Sequence, residues 1–160
     1  MFMLYVKPVV LLLGVFFLTG SKHPEDNYAK EVKWEHWNTG YPKALREKKI
    51  VLVDTYTNWC GWCKKMDKET YANADIIKKV NKYFVPIKFN PELKETYQID
   101  GETFNGRELQ AMLSKGNKTG YPTTYFILIN QNRLLIHPGY IKAADFSITL
   151  DNIIAESKKQ

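Results

Sequence analysis

The chain holds two cysteines, and both fall in Trp59-Cys60-Gly61-Trp62-Cys63-Lys64. The apolar run Ile50-Val51-Leu52-Val53-Asp54 leads straight into them. A strand that delivers a Cys-x-x-Cys pair to the first turn of a helix makes a reactive thiol. The helix N-terminus carries about half a positive charge, from amide N–H groups without an intrahelical acceptor. That field favours thiolate over thiol at Cys60, and Lys64 and Lys65 in the next turn act in the same direction. The thiolate is the form that attacks a disulfide, so the placement points to thiol–disulfide exchange. Cys60 is expected at the helix mouth with its sulfur open to solvent, and Cys63 one turn inward.

Two other uses of the pair are weighed against this. A zinc site needs two further ligands. His23, His36 and His137 are the only histidines, and none stands at ligand spacing, so no metal is expected. A purely structural Cys60–Cys63 bond closes a loop of four residues, which chain entropy values at about 2 kcal/mol. That is little stability for a dedicated staple.

At 160 residues the length suggests one domain. The net charge is +6, but the lysines are dispersed and sit beside acids, as in Lys64-Lys65-Met66-Asp67-Lys68-Glu69. No basic stripe with interleaved aromatics is present, so nucleic acid is not an expected partner. Residues 1–21 read as a signal peptide. Lys7 supplies the positive charge, Val9–Leu18 is apolar but short for a bilayer span, and Thr19 and Ser21 place small residues before a cut after Ser21. The apolar start Met1–Val6 leaves an uncleaved membrane anchor as the alternative. Either way the chain is expected to be exported, into a compartment where disulfides persist.

Residues 22–33 read as a linker, and 34–160 as the domain. A short helix is expected over 41–48, starting at Pro42. Strands are expected over 50–57 and 84–89, with Pro86 marking a strand start or a bulge. Between them lie a helix from Cys60 to about Tyr71 and another capped by Asn73. Residues 91–97 are expected as a helical turn and 105–114 as a helix with Leu109, Met112 and Leu113 inward. A hairpin follows over 123–137, then a helix over 142–158 with Ile148, Leu150, Ile153 and Ile154 inward. Trp34 and Trp37 are assigned to the core. The order gives an α/β fold, a central mixed sheet flanked by helices on both faces.

Val51-Leu52-Val53-Asp54-x5-Cys60-Gly61-x-Cys63-Lys64, then Gly120-Tyr121-Pro122-Thr123, then Gly139, resembles the thioredoxin superfamily in order and spacing. Within it the chain is similar to exported bacterial thioredoxin-like proteins and to the periplasmic C-terminal domain of the electron transporter DsbD. The resemblance implies a thioredoxin fold and a redox-active Cys60–Cys63 disulfide with no other cofactor. Cys60 is then the nucleophile and Cys63 the resolving thiol. Asp54 would relay a proton to or from Cys63, with Lys88 on the neighbouring strand facing it. A structural ion pair is the alternative for both. Tyr121-Pro122 matches the cis-proline loop, where the Tyr121 backbone would pair with an extended substrate. Thr123 would support that loop, and Trp59 would shield the sulfurs and, with Trp62, Tyr121 and Pro122, form an apolar rim. Gly139 would let backbones approach closely near the cysteines.

Trp62 replaces the proline that thioredoxins place between their cysteines, and it is not the histidine of strong oxidants. The Cys60 thiol is therefore expected to titrate near neutrality. The potential is expected nearer thioredoxin's roughly −270 mV than the roughly −120 mV of DsbA. These expectations describe an exported, periplasmic reductase of protein or peptide disulfides, re-reduced by a membrane electron donor of DsbD type. An oxidase or isomerase using the same residues, and a non-enzymatic peptide-binding module, are the alternatives.

Overall fold

The computed structural model describes residues 29–159. The expected signal segment, residues 22–28 of the expected linker and His23 lie outside the described residues. In chain order the elements are α1 (Trp37–Glu47), β1 (Ile50–Thr55), α2 (Gly61–Glu69), α3 (Ala74–Tyr83), β2 (Phe84–Phe89), β3 (Thr96–Ile99), β4 (Glu102–Asn105), α4 (Gly106–Leu113), β5 (Thr123–Leu128), β6 (Arg133–Pro138) and α5 (Ala143–Ser157). Four strands form one sheet in the order β2-β1-β5-β6, and β3 and β4 pair separately. The β1–β2 pairing is parallel, while β1–β5 and β5–β6 are antiparallel, so the sheet is mixed as expected.

Alternation along the strands splits the core into two layers. Ile50, Leu52, Phe84, Phe126 and Leu128 pack with Met66, Ile76, Val80, Phe146 and Leu150 from α2, α3 and α5. Val51, Val53, Val85, Ile87 and Tyr125 pack on the other face with Trp37 and Ala44 of α1 and Leu109 and Leu113 of α4. β1 lies between two partners and all six of its residues are buried.

Several local expectations are corrected. α1 starts at Trp37, not near Pro42, because His36 caps it by accepting from the Asn38 N–H and because Trp37 is a fully buried anchor. Pro42 therefore sits inside the helix. Pro86 marks neither a strand start nor a bulge. Its carbonyl accepts the Glu35 N–H on the outer side of β2, so its missing N–H also faces outward and costs no bond to β1. Residues 96–105 form a hairpin. Asp100 and Gly101, at φ 50° and 86°, supply the two left-handed positions such a turn needs. Ile148 and Met112 are exposed, and Phe146 takes the inward place in α5. The packed region begins ahead of Trp34, with Val32 in the core.

α4 is fixed at its start by a capping box. Asn105 accepts from the Arg107 and Glu108 N–H groups, and Glu108 accepts from the Asn105 N–H at 2.7 Å. Gly106 lies against the Pro91 backbone, where a Cβ would overlap the Pro91 carbonyl. Gly106→Ala should therefore destabilise the fold by about 1–3 kcal/mol in urea unfolding. Helix propensity alone would favour alanine by up to about 1 kcal/mol, so a stabilised variant would refute this close approach.

Candidate functional site

β1 ends at Thr55, and the chain crosses the sheet edge to α2. Cys60 is the N-cap of α2 and Gly61 its first residue, so the pair straddles the helix start. Cys60 and Cys63 are joined by a disulfide, S–S 2.02 Å. The Cys60 Sγ also accepts the Cys63 N–H at 3.0 Å. That N–H is one of the helix's unpaired donors, and it is aimed at the sulfur that would carry charge on reduction. The Lys65 ammonium lies 5.0 and 5.2 Å from the centroids of the Trp62 and Tyr140 rings, which themselves pack at 5.5 Å.

Cys60 does not stand open to solvent. It is 4% exposed, close to the 3% of Cys63, because in the bonded pair its side chain folds inward as the helix cap. The accessible surface belongs to Trp59 and Trp62, 68% and 57% exposed. Trp59 makes two side-chain contacts on this surface. Its indole N–H donates to Glu92 at 3.0 Å, and its ring meets Tyr121 edge-on at 5.8 Å.

The Tyr121–Pro122 peptide is cis. Pro122 is buried, and its carbonyl accepts the Gly139 N–H at 2.7 Å, tying the end of the hairpin to this loop. Among the described residues outside its chain neighbours, nothing lies within 4 Å of where a Gly139 Cβ would sit, so its φ of 88° is what calls for glycine while its backbone meets that of Pro122. Thr123 supports the loop by donating to the Gly120 carbonyl at 2.7 Å. Tyr121 donates to Gln110 Oε1 of α4 at 3.0 Å.

Asp54 and Lys88 are direct partners in the β1–β2 register, so both side chains leave the sheet on the α2 side. Lys88 Nζ donates to Asp54 Oδ2 at 2.6 Å and also to Asp67 Oδ1. Its ammonium lies over the Trp34, Tyr56 and Tyr71 rings at 4.8, 5.2 and 5.4 Å. Asp54 is buried, and among the described residues its Oδ1 has no hydrogen-bond partner. Burial pushes its carboxyl above the ordinary range, and the Lys88 charge offsets this only in part. Burial alone would lower Lys88, but Asp54 and Asp67 outweigh it and raise it. Tyr71 is raised well above its usual value by burial and then by Asp54. Among the described residues, neither Asp54 nor Lys88 hydrogen-bonds to a cysteine sulfur.

Asp67, Tyr56 and Tyr71 were not among the expected site residues, and Trp34, assigned to the core, is half-buried with its ring against Lys88. Asp67 had a signal. It stands four residues after Cys63, on the same face of α2. Gln110 and Tyr140 had none, because folding alone brings them to the site. His36 pairs with Glu95 at 2.7 Å, and His137 packs edge-on to Phe126. Among the described residues no group of three or more His, Cys, Asp or Glu is placed to hold a metal.

The sign of the Asp54 shift gives a stability test. A carboxyl whose folded pKa is raised binds its proton more tightly in the folded state. Its contribution is fully present below the unfolded value of about 4 and is lost as pH rises through the folded value. Asp54→Asn removes that loss and leaves Lys88 paired with Asp67. Thermal melts should show the variant more stable than the parent at pH 8, and the gain should shrink towards pH 4. A variant less stable at pH 8 would mean that the Lys88 attraction outweighs burial.

The family model Thioredox_DsbH (protein of unknown function, DUF255) matches residues 19–154. The thiol:disulfide interchange protein DsbD of Colwellia psychrerythraea is 28% identical over 113 residues, which are 69% of this chain and 17% of that protein. The chain thus spans less than a fifth of that relative's length. Among solved structures, a thioredoxin from Thermus thermophilus superimposes with a TM-score of 0.64 at 17% identity, covering 80% of this chain and 91% of that one. A DsbH oxidoreductase gives a TM-score of 0.60 at 14% identity, covering 84% and 92%. These two likenesses establish the fold. With the family match running over most of its length, the chain belongs to the Thioredox_DsbH family of the thioredoxin superfamily.

Proposed function

We propose that this protein is a thiol–disulfide oxidoreductase that reduces protein disulfides through Cys60 and Cys63. The observation that carries the reading is the bonded pair capping α2, with a helix N–H directed at the Cys60 sulfur. In the reduced protein the Cys60 thiolate attacks one sulfur of a substrate disulfide. A Cys60–substrate bond forms, the substrate S–S bond breaks, and the departing thiolate takes up a proton. Cys63 then loses its proton and attacks the Cys60 sulfur. The second substrate thiol leaves and the Cys60–Cys63 bond closes, so two electrons pass from the protein to the substrate. Asp54 is the acceptor assigned to the Cys63 proton. Its raised proton affinity suits that task, and Lys88 returns the carboxyl to its ionised form between turnovers.

Trp62 between the cysteines supports the reducing direction, since it offers no charge to stabilise the reduced form. The DsbD relative and the N-terminal Lys7 and Val9–Leu18 pattern support an exported protein, with residues 1–21 as its signal segment. There a membrane donor of DsbD type would restore the dithiol. The exposed Trp59 and Trp62, with Tyr121, form the surface assigned to the substrate chain.

The test is mechanism-based trapping. Cys63→Ser should accumulate covalent adducts through Cys60 that dithiothreitol releases, and Cys60→Ser should accumulate none. Insulin reduction by the parent, with Asp54→Asn slowed about 10-fold or more at neutral pH while still folded, would support the relay. A two-electron potential above about −150 mV would reverse the assigned direction, and the absence of adducts would overturn the activity itself.

A further inference from the structure

Next to Tyr121 a cleft of about 360 Å³ opens between α4 and the loop over 116–119. Arg107, Gln110, Asn117, Lys118 and Tyr121 are among the residues that line it, and no acidic residue does. The Arg107 guanidinium and the Lys118 ammonium make no ion pair or hydrogen bond among the described residues, unlike Lys43, Lys79, Lys88 and Arg133, which each hold a carboxylate. The Gln110 carbonyl is taken by the Tyr121 hydroxyl, which leaves its amide N–H₂ to donate. Glu108, the acid nearest in sequence, is committed to the Asn105 N–H. The cleft therefore presents three kinds of N–H donor with no acceptor supplied by the chain. It is joined to the cysteine loop through Tyr121 and Trp59.

We propose that this cleft binds a carboxylate-bearing segment of the polypeptide substrate, so that the protein prefers disulfides flanked by aspartate or glutamate. The inference rests on the Cys60–Cys63 exchange reading for its catalytic consequence, but not for the binding itself. A chain lying along the Tyr121 backbone and continuing past that ring meets Arg107 and Lys118 as its first charged neighbours on the α4 side. Glu92, hydrogen-bonded to the Trp59 indole, does not line the cleft and repels an acidic segment that would lie over Trp59 instead. Lys65, beside the packed Trp62 and Tyr140 rings, adds positive potential at the rim. Exposed pairs of this kind are each modest, so the preference is a sum over two cations and is weakened by salt.

The experiment uses two peptides with the same internal disulfide, one flanked by Asp and Glu and one by Lys. Reduction by the dithiol protein is followed as kcat/KM. Binding of fluorescein-labelled, cysteine-free versions to Cys60→Ser/Cys63→Ser protein is followed by anisotropy. The acidic peptide should be favoured about 10-fold in both measurements at low salt, and less at high salt. Arg107→Glu/Lys118→Glu should abolish or invert the ratio, with Arg107→Gln/Lys118→Gln falling between. Equal kcat/KM for both peptides, or a ratio untouched by the reversal, overturns the cleft assignment and leaves the exchange reading standing. Selective acidic binding without reduction of either peptide overturns the exchange reading and leaves the cleft. No binding preference and no reduction overturns both.

Discussion

The rest of the structure depends on the register of β1. The strand is bonded to β2 on one side and β5 on the other, and every one of its residues is buried. A slip of one residue would turn its whole side-chain set over. Asp54 would leave Lys88 and Tyr71 for the α1 side, and the loop to Cys60 would start from the wrong place. The hydrophobic alternation that fills two core layers therefore also holds an acid and a base opposite each other and sets where α2 begins. Packing and chemistry are specified by the same pairing.

That pairing is kept at a cost in stability. A carboxylate with one unpartnered oxygen in the interior is an expensive group, and Lys88 is shared with Asp67 instead of serving Asp54 alone. A fold chosen only for stability would place an apolar side chain at position 54. The three rings around the Lys88 ammonium offset part of its own desolvation. A carboxyl that holds its proton more tightly than usual, as burial makes Asp54 do, suits the proposed proton transfer better than a solvated one.

Much of the fold could be read from the chain. The apolar run over 50–53, the Asn73 cap and the hairpin over 123–138 are local patterns, and each became the expected element. The errors share a cause. Pro42 was read as a helix start because nothing local shows that Trp37 will be buried and His36 will cap. Asp100-Gly101 is a turn pair, but the residues on either side of it are mostly polar and mark strands only weakly. Ile148 follows the helical period, yet the sheet offers Phe146 the inward place. At the site, the cysteines, Asp54 and Tyr121-Pro122 were legible because they sit in short motifs. Gln110, Tyr140 and the Trp34 ring face were not, since their neighbours come from distant elements. The covering of Cys60 was missed because it follows from the bonded pair folding in as a cap, which spacing alone does not reveal.

The two layers of the core have different duties at the redox end. Asp54, Lys88, Asp67 and Tyr71 belong to the α2 side of the sheet, and Gln110, with the cations beside it, belongs to the α4 side. The loop at Tyr121, whose ring meets Trp59 and whose hydroxyl meets Gln110, is one place where the two join. Inherited changes in α4 can thus alter which clients are accepted while reactivity stays as it was. Drift in α2 can alter reactivity without changing the clientele, and one scaffold can diversify along two independent axes.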